Sequence, residues 1–152
     1  GLRFFSVLTY VELEKAADLF TSSFLSNVKV SQTQNMLRAA RDAGFRVVLC
    51  SSSIEPIVLA IGRDMGDVDC VGSKLEFHDG IFSGLVSKDT TGRKAEIVRD
   101  SYPGAKIELA VSDNLSDIDL LLLAENAFAV IHSSEKLDFW RQYEFEIVDL
   151  RI

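Results

Sequence analysis

The stretch IELAVSDNLSD at residues 107–117 decides the fold class of this chain. It opens with an apolar run of strand length, Ile107–Val111, and breaks at the polar residues 112–114. A helix is predicted to follow over Asp117–Ala124. A strand that passes through small polar residues into a helix is a unit from which α/β proteins are built.

The same succession of strand and helix recurs on both sides of this stretch. Upstream, Phe45–Cys50 predicts a buried strand that ends in three serines and leads into a helix over Ile54–Met65. Thr9 and Glu12 form a capping box at the start of a helix predicted over Tyr10–Leu25. The other predicted elements are helices from Ser31 to before Gly44, at Arg93–Asp100 and at Glu135–Gln142, a hairpin of Lys74–Phe77 and Ile81–Leu85, and strands at Ala127–Ile131 and Phe145–Val148. This alternation indicates one α/β domain with a mostly parallel sheet.

The composition of the chain limits the classes of protein to which it can belong. The chain has 152 residues, 47% of them hydrophobic and 26% charged, which suits a single globular domain. Its net charge of −7 argues against nucleic acid as a partner, because phosphate backbones require clustered Lys and Arg. No apolar run approaches the roughly 20 residues that span a bilayer, so a soluble, cytoplasmic protein without membrane partners is expected. Cys50 and Cys70 are expected to be reduced thiols, and Gly1 in place of an initiator Met suggests a processed or truncated end.

The predicted carboxyl ends of two strands carry candidate ligand-binding residues, because ligands of open α/β sheets bind beyond those ends. The three serines after Cys50 stand where a helix N-terminus offers amides to phosphate, although serines at that place also simply cap helices. Asp113 and Asp117 present carboxylate oxygens that suit Mg²⁺. Aspartate at a helix start is, however, also favoured by the helix dipole alone.

A lysine at the start of another predicted helix is a further candidate. Lys94 suits the neutralisation of phosphate charge, although lysines at such places are usually only solvated. The chain contains neither a G-x-x-x-x-G-K-[ST] phosphate loop nor a G-x-G-x-x-G dinucleotide fingerprint. His78 and His132 are not accompanied by a nucleophile pattern, so surface or turn positions are expected for them.

Taken in order, these motifs resemble those of the haloacid dehalogenase superfamily, in its phosphoserine-phosphatase-like branch with a helical cap. Val47–Ser53 resembles the second motif of that family, a hydrophobic strand ending in Ser or Thr. Gly92–Lys94 resembles the third motif, and Ala110–Asp117 resembles the fourth, usually written G-D-S-x-x-D. Lys74–Gly84 is similar to a further segment of the branch, so the resemblance covers nearly the whole chain.

The resemblance implies a role for each matching residue. The hydroxyl of Ser51 and the amide of Ser52 would hold the phosphoryl group, and Lys94 would neutralise its charge. Asp113 would bind Mg²⁺, the expected cofactor, and Asp117 would bind or support that ion.

Two features depart from the pattern of the family. Ser112 replaces the usual glycine of the fourth motif, which is expected to crowd the metal loop or restrict its backbone. The first motif, D-x-D-x-[TV], supplies the nucleophilic aspartate and the general acid and base in the family. Only Asp67–Asp69 and Asp117–Asp119 have the D-x-D spacing; the former follows a helix stop and the latter lies inside the fourth motif. The nucleophile motif is therefore missing from these residues.

The expected architecture follows from the resemblance and from this gap. It is a Rossmann-like α/β core with a mostly parallel sheet over residues 31–152, and part of a helical cap over residues 1–30. The first core strand, which the family places between the strands ending at Cys50 and Val111, is expected to be missing. Something should fill the gap, since unpaired inner edges invite association: a segment outside this chain, a partner strand that gives self-association, or Leu2–Leu8.

Three functions are weighed on these grounds. The first is a Mg²⁺-dependent phosphomonoester hydrolase that acts through an aspartyl-phosphate on a small phosphorylated substrate, with this chain inactive on its own because it lacks the nucleophile. The alternative is a non-catalytic module of the same fold that binds a phosphorylated ligand or a protein partner. The third is an assembly domain that pairs through its open sheet edge.

Overall fold

The computed structural model describes residues 8–24, 31–66 and 68–151, except for the side chain of Gln32. The chain divides into two compact units, Gly1–Thr91 and Gly92–Ile152, and each is described by itself. The division into a partial cap over residues 1–30 and a core over 31–152 stays a prediction. Most of Leu2–Leu8, one candidate to fill the gap in the sheet, lies outside the described residues, which begin at Leu8.

Three helices form in the first unit, each close to its predicted place. They are α1 (Tyr10–Ser23), α2 (Ser31–Asp42) and α3 (Glu55–Asp64). The capping box is confirmed: the Glu12 amide donates to the Thr9 hydroxyl, and the Thr9 amide donates to the Glu12 carboxylate. α1 packs against α3, where Arg63 donates to Asp18 at 2.6 Å.

The first sheet has three strands in the order β1 (Val48–Ile54), β2 (Asp69–His78) and β3 (Ile81–Lys88). β1 and β2 are parallel, whereas β2 and β3 form an antiparallel hairpin, as predicted. Asp79 and Gly80 have φ angles of 50° and 79°, the positive values that a two-residue type I′ turn requires.

The predicted strand Phe45–Cys50 is displaced along the chain. β1 begins at Val48, where its parallel pairing with β2 starts, and it runs through the three serines to Ile54. Cys50 lies opposite Val71 and Ile54 opposite Ser73, so β1 carries extra residues and bulges at 51–53. The placement of the serines at a helix N-terminus is therefore wrong, and so is their interpretation as caps: Ile54 occupies the N-cap of α3, without a side-chain cap bond.

Gly72 allows β2 to lie close to α3. A Cβ atom at this position would stand 2.8 Å from the Cα of Glu55 and 3.0 Å from Cγ2 of Val58. Backbone atoms cannot yield as the end of a flexible side chain can, so we expect Gly72→Ala to lower the free energy of unfolding by about 1–3 kcal/mol, the usual effect of overpacking. Urea denaturation measures the loss.

The matched control for this substitution is Lys74→Ala in the same strand, whose side chain is exposed. Surface substitutions of this kind usually change stability by less than about 0.5 kcal/mol. Equal denaturation midpoints for Gly72→Ala and the unmodified chain would contradict the close packing of β2 on α3.

The second unit is a three-stranded sheet with short helical segments. Its strands are parallel throughout, in the order β4 (Ile107–Ser112), β5 (Ala124–Ile131) and β6 (Glu146–Asp149). The helices are α4 (Lys94–Ser101), α5 (Ile118–Leu121) and α6 (Leu137–Trp140), with 3₁₀ turns at Leu115–Asp117 and Ser134–Lys136. The mostly parallel α/β architecture predicted from the sequence is confirmed.

Two predicted helices of this unit are shorter than expected. The helix predicted over Asp117–Ala124 ends at Leu121, because β5 already begins at Ala124, which pairs with Ile107. The helix predicted over Glu135–Gln142 is divided into a 3₁₀ turn and α6. The core of the unit consists of buried apolar side chains from α5, β5 and α6: Leu121, Ala129, Ile131 and Trp140.

The missing core strand was predicted to lie beside the strands that end at Cys50 and Val111, and each of these strands is at the edge of its sheet. Within the part of the chain that the structure describes, β1 pairs only with β2, and β4 pairs only with β5. Self-association through these edges stays a prediction. No helix among the described residues is long and apolar enough to cross a membrane.

Candidate functional site

A buried ion pair joins two of the predicted site residues. Lys94 is the first residue of α4, and Asp117 ends the 3₁₀ turn after β4. The Lys94 Nζ atom lies 2.6 Å from Asp117 Oδ2, and their side chains are only 9% and 3% exposed. Lys and Asp are rarely buried unless they are paired, because an isolated charge loses its hydration. Burying these two charged groups therefore costs desolvation free energy, which the interaction between them must offset.

Ser112 is a third member of this cluster, which sequence reasoning missed. It ends β4, and its hydroxyl donates to the same Oδ2 atom of Asp117 at 2.6 Å. The Ser112 hydroxyl also accepts a hydrogen bond from the Asn114 amide at 3.1 Å. Ser112 was expected to crowd the loop that follows β4. Instead, its hydroxyl joins the Asn114 amide of that loop to the Asp117 carboxylate. The sequence offers one sign that Ser112 belongs to the site, its position directly before the stretch from Asp113 to Asp117. That position does not predict the contact with the Asp117 carboxylate.

Asp113 is not part of the buried pair. Its side chain is 55% exposed, and Oδ2 lies 3.8 Å from Nε2 of His132. The backbone carbonyl of Asp113 accepts a hydrogen bond from Lys136 Nζ at 2.8 Å. The structure thus brings Lys94 together with Asp117 and leaves the carboxylate of Asp113 largely exposed to solvent.

The two aspartates differ in how well they suit a metal ion. Mg²⁺ usually takes one or two carboxylates and completes its shell with water and substrate phosphate. The exposed carboxylate of Asp113 fits that chemistry, whereas Asp117 Oδ2 already accepts from Lys94 and Ser112. Among the described residues no group of three His, Cys, Asp or Glu side chains is placed to hold a metal. Of the two aspartates, Asp113 is therefore the one whose carboxylate is accessible to an ion.

Ser51 and Ser52 belong to the first unit and lie on the bulge of β1. Ser51 is half-buried, and its hydroxyl accepts a hydrogen bond from the Ser53 amide at 3.1 Å. Ser52 is exposed. Their carbonyls accept hydrogen bonds from two buried hydroxyls, those of Thr90 and Ser73, which sequence reasoning also missed.

A shallow cavity of about 450 Å³ lies beside α4 and α5 in the second unit. Its lining includes Arg93 and Glu96, which pair with each other at 2.7 Å, but not Lys94 or Asp117. The cavity is thus separate from the buried pair and does not belong to the candidate site.

Comparison with known proteins gives a family and a set of relatives. Residues 2–122 match the family model of the haloacid dehalogenase-like hydrolases. The chain is 30% identical over 126 residues to the phosphoserine phosphatase SerB1 of Mycobacterium tuberculosis, and the match covers 79% of this chain and 41% of that protein. The chain therefore spans about two fifths of the length of the curated relatives it matches.

Solved structures are similar in fold. A Bordetella pertussis Tohama I protein of unknown function has a TM-score of 0.83 at 18% identity, with 98% of this chain and 71% of that chain covered. A phosphoserine phosphatase in apo form has a TM-score of 0.63 at 18% identity, with 96% and 71% covered. At these identities the likeness concerns the fold alone.

Proposed function

This chain belongs to the haloacid dehalogenase-like hydrolases, and on that premise we propose that it forms part of a Mg²⁺-dependent phosphomonoester hydrolase. The buried pair of Lys94 and Asp117 carries the proposal. A cation held in a fixed place before the substrate arrives stabilises developing phosphoryl charge without reorganisation. An ammonium group has several donors, and the bond to Asp117 uses only one of them. Lys94 is therefore suited to neutralise a phosphoryl oxygen while Asp117 orients it.

The other roles follow the motifs of the family. We assign to Ser51 and Ser52 the binding of phosphoryl oxygens, through a hydroxyl and a backbone amide. Asp113 would hold Mg²⁺, and Asp117 would support the site through its bonds to Lys94 and Ser112. When bound, Mg²⁺ supplies Lewis-acid stabilisation of charge on the phosphoryl oxygens.

The covalent step needs a group that these residues do not provide. In an aspartyl-phosphate mechanism, a carboxylate oxygen attacks phosphorus, the bond to the ester oxygen breaks, and a general acid protonates the departing alcohol. Water then releases inorganic phosphate. The sequence D-x-D-x-[TV] occurs at residues 67–71, but there it follows a helix stop instead of a hydrophobic strand, so it does not match the nucleophile motif. We therefore propose that this chain alone does not hydrolyse phosphate esters and that the substrate of the complete protein is a small phosphomonoester.

The test compares the 152-residue chain with the protein encoded by its complete reading frame. We expect the complete protein to contain, upstream of these residues, a hydrophobic strand followed by D-x-D-x-[TV]. We also expect it to release phosphate from p-nitrophenyl phosphate with Mg²⁺, at least about 10⁶-fold faster than the uncatalysed reaction. Removal of Mg²⁺ with a chelator should abolish the release, and the chain alone should release none.

The lack of a hydrophobic strand followed by D-x-D-x-[TV] also favours a second candidate, a non-catalytic module that binds a phosphorylated ligand or a protein. The same comparison separates the two functions. A complete reading frame without an upstream strand and D-x-D-x-[TV], whose protein releases no phosphate, would contradict the hydrolase and support the binding module.

A further inference from the structure

Two buried hydroxyls hold the backbone of β1 where it bulges. We propose that Ser73 and Thr90 are positioning residues, which shape the bulge at residues 51–53 into a binding loop for phosphoryl oxygens. This inference rests on the proposed function, and it assigns a role to two residues outside the family motifs considered above.

The hydroxyls contact consecutive peptide groups of the bulge. Thr90 Oγ1 donates to the carbonyl of Ser51 at 2.7 Å, and Ser73 Oγ donates to the carbonyl of Ser52 at 3.0 Å. Thr90 and Ser73 are only 1% and 3% exposed. The Thr90 amide also donates to Ser73 Oγ at 3.2 Å. The two hydroxyls therefore form one connected network beneath the bulge.

The bulge needs such donors because its residues depart from the regular ladder. Extra residues in a bulged strand lose the partners that a regular neighbour would offer. A buried carbonyl without a donor is costly, so it is normally paired with some other group. Here the side chains of Ser73 and Thr90 supply those donors.

The network also determines where the amides of the bulge point. In a trans peptide group the N–H is directed opposite to the C=O. Because the Ser51 carbonyl turns towards buried Thr90, the Ser52 amide is directed away from that hydroxyl. The Ser53 amide, in the next peptide group, donates to the Ser51 hydroxyl and so orients it. The donors that this arrangement offers to an anion are the Ser52 amide and the Ser51 hydroxyl, and oriented backbone amides are groups that bind anions in proteins.

The loop that follows β3 is held by the same network. Asp89 Oδ1 accepts a hydrogen bond from the Thr91 amide at 2.8 Å and lies 3.4 Å from Ser73 Oγ, whose single proton is directed to the Ser52 carbonyl. Thr90 is thus fixed by its buried position and by its bonds to Ser51 and Ser73, and the residues on either side of it are joined by the bond from Thr91 to Asp89. This rigidity is what a positioning residue requires.

The test measures amide hydrogen exchange at residues 51–53 in the 152-residue chain, with and without inorganic phosphate. Thr90→Val keeps the shape of the side chain but removes the hydroxyl, whereas Thr90→Ser keeps the hydroxyl. We expect phosphate to slow exchange in the unmodified chain and in Thr90→Ser. In Thr90→Val, exchange without phosphate should rise about tenfold, as loss of a buried hydrogen bond implies, and the protection by phosphate should disappear.

Two further variants sharpen the result. Ser73→Ala removes the other hydroxyl and should act in the same direction, which gives an independent test if Thr90→Val folds poorly. Ser87→Ala is the matched control, because its exposed hydroxyl also donates to a backbone carbonyl of β2, that of Lys74. Exchange and protection at residues 51–53 should not change in this control.

The outcomes separate this inference from the proposed function. Retained phosphate protection in both Thr90→Val and Ser73→Ala would overturn the positioning role while leaving the phosphoryl site intact. Absence of protection in the unmodified chain would overturn the phosphoryl site at Ser51 and Ser52, and the inference with it. Faster exchange in the variants would then show only that the hydroxyls support the strand.

Discussion

Replacing Lys94 with methionine should lower the free energy of unfolding by about 3–5 kcal/mol, the usual cost of removing one partner of a buried ion pair. The substitution preserves most of the side-chain volume but leaves the Asp117 carboxylate, only 3% exposed, without its cation. The Ser112 hydroxyl remains as a donor to Asp117 Oδ2, but it carries no compensating charge. The loss should therefore exceed that of a typical surface substitution.

Lys106→Met is the matched control for this prediction. Lys106 also pairs with a carboxylate at 2.6 Å, that of Glu125, but both side chains are largely exposed. Exposed ion pairs contribute little, because water screens the charges and the side chains lose entropy. Urea unfolding followed by the fluorescence of Trp140, a buried residue and the single tryptophan of the chain, measures both variants. If Lys94→Met and Lys106→Met lowered the free energy of unfolding equally, burial would not make the Lys94 pair more important for stability than an exposed pair.

The same substitution tests the chemistry in the complete protein. Removal of one preorganised donor to developing charge typically lowers kcat by about 10²–10³-fold. We expect a loss of that order for Lys94→Met at a temperature where the variant remains folded. Phosphate release at the rate of the unmodified protein would exclude Lys94 from the phosphoryl site.

Asp113→Asn should remove the response to Mg²⁺ while leaving the fold intact. We expect phosphate release by the complete protein to fall more than about 100-fold, since even outer-shell partners of a metal contribute about 10–100-fold. The free energy of unfolding should change by less than about 0.5 kcal/mol, because the side chain of Asp113 is largely exposed. Titration of phosphate release with Mg²⁺ and urea unfolding measure the two effects.

Two further substitutions are compared with Asp113→Asn: Asp117→Asn, at the buried aspartate, and Asp138→Asn, a control at an exposed aspartate. Asp117→Asn should lower both activity and stability, since it removes the carboxylate that pairs with buried Lys94. Asp138 is an exposed aspartate of α6, and its replacement should alter neither quantity. An unchanged Mg²⁺ dependence in Asp113→Asn would show that this carboxylate does not hold the metal.

Local patterns in the sequence were sufficient for the order of the elements. The capping box at Thr9 and Glu12 places the start of α1, and the turn at Asp79 and Gly80 places the hairpin. These signals lie within a few neighbouring residues, so they act through local backbone geometry and need no tertiary contact. The order of the motifs also indicated the family, which the match over residues 2–122 confirms.

The boundaries of elements that depend on strand pairing were harder to predict from the sequence. β1 begins at Val48 and continues through the serines because β2 sets its register, and neither limit is written in the residues of β1 themselves. The early start of β5 likewise ended the predicted helix over Asp117–Ala124 at Leu121. Strand limits follow the partner strand, which lies far away in the sequence.

The sequence by itself determined the α/β class, the order of its helices and strands, and the residue types at the candidate site. Only the tertiary structure decided that Lys94 pairs with Asp117 rather than with solvent, that Ser112 shares the same carboxylate oxygen, and that Asp113 stays exposed. It also decided that Thr90 and Ser73 hold the bulge of β1. The physical reason is that packing joins Lys94 to Asp117 and Thr90 to Ser51 across 23 and 39 residues of sequence, and folds the loop that brings Ser112 to Asp117. Burial, which obliges a charge or a hydroxyl to find a partner, is set by that packing rather than by neighbours in the chain.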